Sequence, residues 1–254
     1  MSYLLIELNS FLLTQPFLTL KTRMQAKNPQ GDYGHYLKNQ VETKSLFKGI
    51  THSYALCILH FSIFMNVQKL TASTPLHSKF VFSPESINYS NYLISDLLTS
   101  PFRCALEIRR SLFQMGNIRV SAQETLFKCR QSFLPLLARD FIFRTAVYCS
   151  LAQNDPRKNK VQRLWEVTST LLVAALVSNP VDVVCTKIYT QKVDVYQGIL
   201  GTFRKIIQEE GAGKFVTGFS MRFAALSFAT LLNFVIFESL RDFAGEAFSN
   251  DILI

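Results

Sequence analysis

Three times along the chain a mostly apolar, helix-like run meets a proline, gives way to a polar and basic segment, and is followed by a second apolar run. The prolines are Pro16, Pro101 and Pro180, separated by 85 and 79 residues, and near-constant spacing on this scale marks an internal repeat. The second apolar runs cover about Phe47 to Leu70, Gln131 to Ala152 and Lys214 to Phe243. The pattern predicts an all-α chain of six helices in three pairs, with repeats at 1–72, 86–153 and 160–244 and a tail at 245–254. No apolar run reaches 18 residues unbroken, which falls short of a plain membrane signal. Helices that line a polar interior, interrupted by proline or glycine, read this way while still crossing a bilayer.

Composition moves the balance toward the membrane. Of 254 residues 48% are apolar and 18% charged, with 22 Phe, against roughly 25% charged in soluble domains. The net charge of +9 comes with no basic helix and no RNA-binding aromatic signature, so nucleic acid is not the expected partner. The charge is instead segregated. Segments 20–48, 103–130 and 187–214 hold 17 Lys and Arg, and the opposite loops and helix ends hold seven. By the positive-inside rule those basic segments share one side, with both termini and the loops at Lys79 and Arg157 to Arg163 on the other. Met1 to Leu20 contains no Lys or Arg, so neither a secretory n-region nor an Arg-rich presequence is expected there.

Little points to chemistry. The five cysteines, Cys57, Cys104, Cys129, Cys149 and Cys185, form no CxxC pair and read as helix-packing residues. His52 and His60 are eight apart, not the four that would bring two imidazoles to one metal. With no nucleophile, metal or nucleotide constellation, an enzyme is not expected, nor a cofactor.

The motifs around the prolines are more informative. The third reads Asn179-Pro180-Val181-Asp182-Val183-Val184-Cys185-Thr186-Lys187, followed by Tyr196-Gln197-Gly198 and Glu210-Gly211. The first reads Pro16-Phe17-Leu18-Thr19-Leu20-Lys21, the second Pro101-Phe102-Arg103-Cys104-Ala105-Leu106-Glu107, and Phe47-Lys48-Gly49 opens the second helix. These resemble the repeats of the mitochondrial carrier family, closely in the last repeat, moderately in the first and faintly in the second. The resemblance implies six transmembrane helices in three pseudo-threefold repeats with short matrix surface helices, one of them at Gly198 to Gln208. It also implies kinks at Pro16, Pro101 and Pro180, and a multi-pass protein of the mitochondrial inner membrane with both termini toward the intermembrane space.

The same resemblance implies two latches of ion pairs. On the matrix side the partners by position are Leu18 with Leu106, Arg103 with Cys185, and Asp182 with Lys21, so one ion pair of three is expected. On the other side Phe237, Glu238 and Arg241 keep the motif, but their partners fall on Met65, Gln68, Ala152 and Asp155 and no cross-repeat pair is complete. The substrate contact points fall at Leu56-Cys57, Arg139-Asp140 and Ala225-Leu226, of which only Arg139 and Asp140 are charged; that these two satisfy one another or a neighbouring helix is a reading of at least equal weight. Arg222 reads as an anchor near the matrix headgroups, and Arg103 is left with no charged partner. Cardiolipin is the expected bound lipid, at Phe47-Lys48-Gly49 and at Tyr196 and Gly198, where helix N-termini favour an anion; the second repeat offers no good equivalent.

So reduced a set of latches and contacts leads to the expectation of a structural accessory subunit docked on other subunits of a larger inner-membrane assembly, most plausibly a respiratory-chain complex. The alternative is an active transporter exchanging a small anion or amino acid by alternating access.

Overall fold

The computed structural model describes residues 2–26, 46–73, 84–115, 121–152, 159–191 and 198–244. These form α1 (Ser2–Ala26), α2 (Ile50–Ser73), α3 (Pro84–Gln114), α4 (Ala122–Ala152), α5 (Lys160–Thr190), α6 (Gly198–Glu210), a 3₁₀ helix (Ala212–Val216) and α7 (Phe219–Ala244), with no strand among the described residues. The six long helices make a closed ring: α1 to α5 each pack on the next, α5 packs on α7, and α7 returns to α1. Inside it α1, α3 and α5 also touch one another.

Each repeat proline lies within an odd helix rather than at its end, and α4 contains Pro135 as well. Proline there forfeits a backbone hydrogen bond and crowds the preceding turn, a cost that helices packed on two sides can carry. Two boundaries differ from the sequence expectation. The helix expected from Gln131 starts at Ala122, because Ser121 caps it: Ser121 Oγ accepts from the Glu124 amide at 3.1 Å, and its carbonyl accepts from Thr125 N at 3.1 Å. Ser121-Ala122-Gln123-Glu124 has the spacing of a capping box. The helix expected from Lys214 is instead a 3₁₀ turn that ends before Gly218, whose φ of +78° swings the chain into α7.

By length and composition three segments among the described residues are apolar enough to cross a membrane: Ile50–Leu70, Leu164–Thr190 and Ala212–Leu232. The others in the ring, α1, α3 and α4, carry charged residues that turn inward and are paired, as described below. Two apolar clusters hold α3 and α5 in their C-terminal halves. Cys104, Ile108 and Leu112 of α3 meet Leu136 of α4 and Cys185 and Tyr189 of α5. Val183, Val184 and Ile188 of α5 meet Ile206 of α6 and Phe215. Cys185, at the position where the family motif has a base, is thus a packing residue.

Candidate functional site

The site grows from Asp182, which is 1% exposed on α5, two residues past Pro180. Lys21 Nζ of α1 lies 2.7 Å from Asp182 Oδ2, and Gln25 Nε2, one turn further along α1, donates to the same oxygen at 3.0 Å. Thr186 in turn donates to Gln25 Oε1 at 2.7 Å, so the pair is held in place by hydrogen bonds on both helices. The other carboxylate oxygen takes Arg139 Nη1 of α4 at 3.2 Å. Arg222 of α7 approaches at 3.8 Å and stands over the Phe143 ring, 5.8 Å from its centroid. Arg222 therefore faces the bundle interior rather than the headgroups, because Asp182 supplies the counter-charge there.

Arg139 carries the network onward. Its guanidinium meets Glu107 of α3 through Nη1 at 3.0 Å and Nη2 at 2.9 Å, and meets its neighbour Asp140 at 2.8 Å. A two-pronged contact of this kind suits the planar fork of arginine. Asp140 also accepts from Arg103 Nη2 at 2.7 Å, while Arg103 Nη1 reaches Asp96 Oδ1 at 2.7 Å. His60 Nε2 of α2 lies 2.9 Å from that same Asp96 oxygen.

The result is one polar ladder that touches all six helices of the ring. Among the described side chains its cations Lys21, Arg103, Arg139 and Arg222 face the carboxylates Asp96, Glu107, Asp140 and Asp182, with His60 beside Asp96. Arg103 was expected to be stranded because its positional partner is Cys185; it is held instead by Asp96 and Asp140. The second repeat was expected to lack an acid, yet Glu107 supplies one, four residues past the motif's acid position at Arg103 and one past its basic position at Leu106. Glu107 and Asp96 were missed because they lie off the proline register. The signal for them is spacing: Asp96, Arg103 and Glu107 are seven and four apart, which puts them on one stripe of α3.

The remaining contact positions are apolar: Leu56, Cys57 and Ala225 are 8%, 4% and 3% exposed, and Leu226 is half-buried. Beyond Asp182, toward the helix ends, a second set of bonds fastens α6. Glu210 accepts from Lys187 at 2.7 Å and from Lys214 at 3.4 Å, and these lysines also donate to the Ala26 and Met24 carbonyls of α1.

The lipid-motif residues are partly in view. Phe47 and Lys48 are exposed, and Gly49 has φ +86° with the Ile50, His52 and Ser53 amides starting α2 around it. Gly198 opens α6 beside an open groove of about 590 Å³ that Phe127, Arg130 and Leu134 of α4 also line. Tyr196 and Asp155 lie outside the described residues, as do the side chains of Ala152, Phe237, Glu238 and Arg241, the last three on α7. Met65 is 38% exposed.

Comparison with known proteins gives two findings. Residues 167–247 match the family model described as mitochondrial carrier protein. Over 248 residues the chain is 25% identical to S-adenosylmethionine carrier 1, chloroplastic/mitochondrial, of Arabidopsis thaliana, an alignment covering 89% of this chain and 72% of that protein. The match to the family model coincides with the repeat whose motif is most complete. An accessory-subunit role gains no support from either finding, and one of its grounds, an uncompensated Arg103, is gone.

Proposed function

From membership of the mitochondrial carrier family, which the last repeat and the plant relative support, we propose that the protein is a multi-pass solute transporter of the mitochondrial inner membrane. The observation that carries this reading is the charge-balanced ladder, with Arg139 and Asp140 at its centre and a contact to every helix of the ring. A structural subunit has no need of such a device; a protein that must open and close does. Buried ion pairs contribute little net stability yet cost several kcal/mol to leave half-broken. A solute able to replace one partner therefore shifts the balance between two closed arrangements.

Arg139 and Asp140 present opposite charges side by side, which suits a solute with a carboxylate and an ammonium group on one carbon. The amino-acid head is the simplest such group. On loading, the solute carboxylate takes a guanidinium N–H of Arg139 and its ammonium takes an Asp140 oxygen, so the ladder stays neutral while the Arg139–Asp182 and Arg103–Asp140 contacts become free to part. At the far end Lys21–Asp182, buttressed by Gln25, is the matrix latch. Cardiolipin at Phe47-Lys48-Gly49 and at Tyr196 and Gly198 steadies the surface segments, and both termini face the intermembrane space. S-adenosylmethionine, named for the plant relative, bears an amino-acid head and belongs in the first panel of solutes.

The test is counterflow of labelled amino acids and S-adenosylmethionine in proteoliposomes, comparing the wild type with Asp140→Ala and Arg139→Ala. Loss of a charge-assisted hydrogen bond costs about 1.5–3 kcal/mol, so exchange should fall at least about tenfold at subsaturating solute. Undiminished exchange in variants that melt like the wild type would remove Arg139 and Asp140 from the site.

A further inference from the structure

Of the cations in the ladder, Arg222 is the least engaged. Lys21, Arg103 and Arg139 each donate to a carboxylate oxygen within 2.9 Å, whereas Arg222 is 8% exposed and its Nη1 is buried with no hydrogen-bond partner among the described residues. Asp182 stands 3.8 Å from it, beyond hydrogen-bond reach. That carboxylate is already occupied by Lys21, Gln25 and Arg139, so it offsets the charge of Arg222 without filling its donors. The face of Phe143, 5.8 Å away at its centroid, attracts a cation and leaves the in-plane N–H groups of the fork unused. Buried polar groups are hydrogen-bonded as a rule, and an ionisable residue inside a membrane protein that lacks such a bond is a candidate for binding something else.

Its position says what. Phe143 lies one turn beyond Arg139 on α4, on the same stripe, so Arg222 of α7 stands over the face of α4 that carries the solute pair. Arg139 and Arg222 approach opposite oxygens of Asp182, Oδ1 at 3.2 Å and Oδ2 at 3.8 Å, which puts their nearest nitrogens no more than about 9 Å apart. With an amino-acid head on Arg139 and Asp140, Arg222 is within reach of the solute's side chain. The carboxylates of a four- or five-carbon amino diacid are about 4–5 Å apart, and with an N–H···O bond of about 2.8 Å at each end the molecule bridges the two guanidinium groups.

We propose that Arg222 is the specificity-determining residue of the transporter, taking the side-chain carboxylate of an acidic amino acid whose head is held by Arg139 and Asp140. This deepens the transporter reading above and rests on it. Binding gives Arg222 the charge-assisted hydrogen bonds it lacks in the closed bundle and loosens its tie to Asp182, while the Phe143 ring keeps the guanidinium in place. A neutral amide of the same shape offers the fork one oxygen and no charge, so the site discriminates by charge rather than by size.

The experiment uses the full-length protein in proteoliposomes and homo-exchange of labelled glutamate, aspartate, glutamine, asparagine and S-adenosylmethionine, with kcat/KM measured for each. The charge-assisted contact predicts that each acid exceeds its amide at least about tenfold in kcat/KM, chiefly through KM. In Arg222→Met and Arg222→Gln that preference should disappear, whatever absolute rate remains, and Arg222→Lys should restore it in part. A residue that only braces the bundle would lower acids and amides alike and leave their ratio where it was.

A wild type that exchanges the amides as readily as the acids, or a preference intact in either neutral variant, overturns the assignment of Arg222 and leaves the transporter reading standing. Exchange of S-adenosylmethionine without the acids does the same. Loss of all exchange in every Arg222 variant, lysine included, assigns the residue to the frame of the bundle and also overturns the proposal. Absence of exchange of every probe by the wild type overturns both readings.

Discussion

Asp182→Asn keeps the shape of the side chain at the hub of the ladder and removes its charge. At 1% exposure, Asp182 receives Lys21 at 2.7 Å, Gln25 at 3.0 Å and Arg139 at 3.2 Å, with Arg222 at 3.8 Å. The amide leaves three buried cations around a neutral group, and a balanced ladder becomes one with a surplus positive charge. Removing one partner of a buried pair costs about 3–5 kcal/mol, of which a retained hydrogen bond to the amide oxygen returns about 1 kcal/mol. At roughly 2–4 °C per kcal/mol for a chain of this size, the melting temperature should fall by about 4–16 °C. A thiol-reactive dye reads this as a rise above the baseline set by half-buried Cys129, since Cys104 and Cys185 are 0% exposed until the bundle opens. Lys21→Met should lower it too, and the double variant should lose less than the sum, because the two act on one contact. Melting of Asp182→Asn within about 2 °C of the wild type, or strictly additive losses, would refute the assignment of Asp182 as the hub.

Two further perturbations follow from the backbone and from the clamp on α6. Gly49→Ala places a side chain at φ +86° and a Cβ 2.9 Å from Arg110 Cγ, so it should cost about 1–3 kcal/mol; Gly213→Ala, with nothing within 4 Å, should leave the melting temperature unchanged. Glu210→Ala removes the carboxylate that Lys187 and Lys214 share, and hydrogen exchange should quicken in Gly198–Val216 while the ends of α1 and α5 stay protected. Uniform protection across those segments would mean that α6 is held by its apolar face alone.

The repeat plan was legible because it rests on features with local causes: prolines in phase, apolar runs of helical length, and basic residues kept to one side. The Lys21–Asp182 contact was legible for a related reason, since both residues sit in the proline register. What escaped was the rest of the ladder. Asp96 answers to His60 on α2 and Glu107 to Arg139 on α4, and nothing at each position alone announces a partner on another helix. Arg103 shows the cost of reading by register: paired on paper with Cys185, it looked stranded, whereas two carboxylates off the register hold it. The start of α4 was missed for a smaller reason, a serine cap lying upstream of the apolar run.

The ring closes between its last helix and its first, and this has a bearing on how the protein is made. Lys21 finds Asp182 161 residues later, and the Met24 carbonyl is met by Lys214 190 residues later. Through most of synthesis and insertion, then, α1 holds a cation and exposed carbonyls whose partners have not yet arrived, and contacts so distant along the chain form late and slowly. An insertion machinery or chaperone must shelter the first helix until the third repeat is delivered, so a chain cut short before Asp182 should be cleared by quality control rather than persist as a smaller bundle.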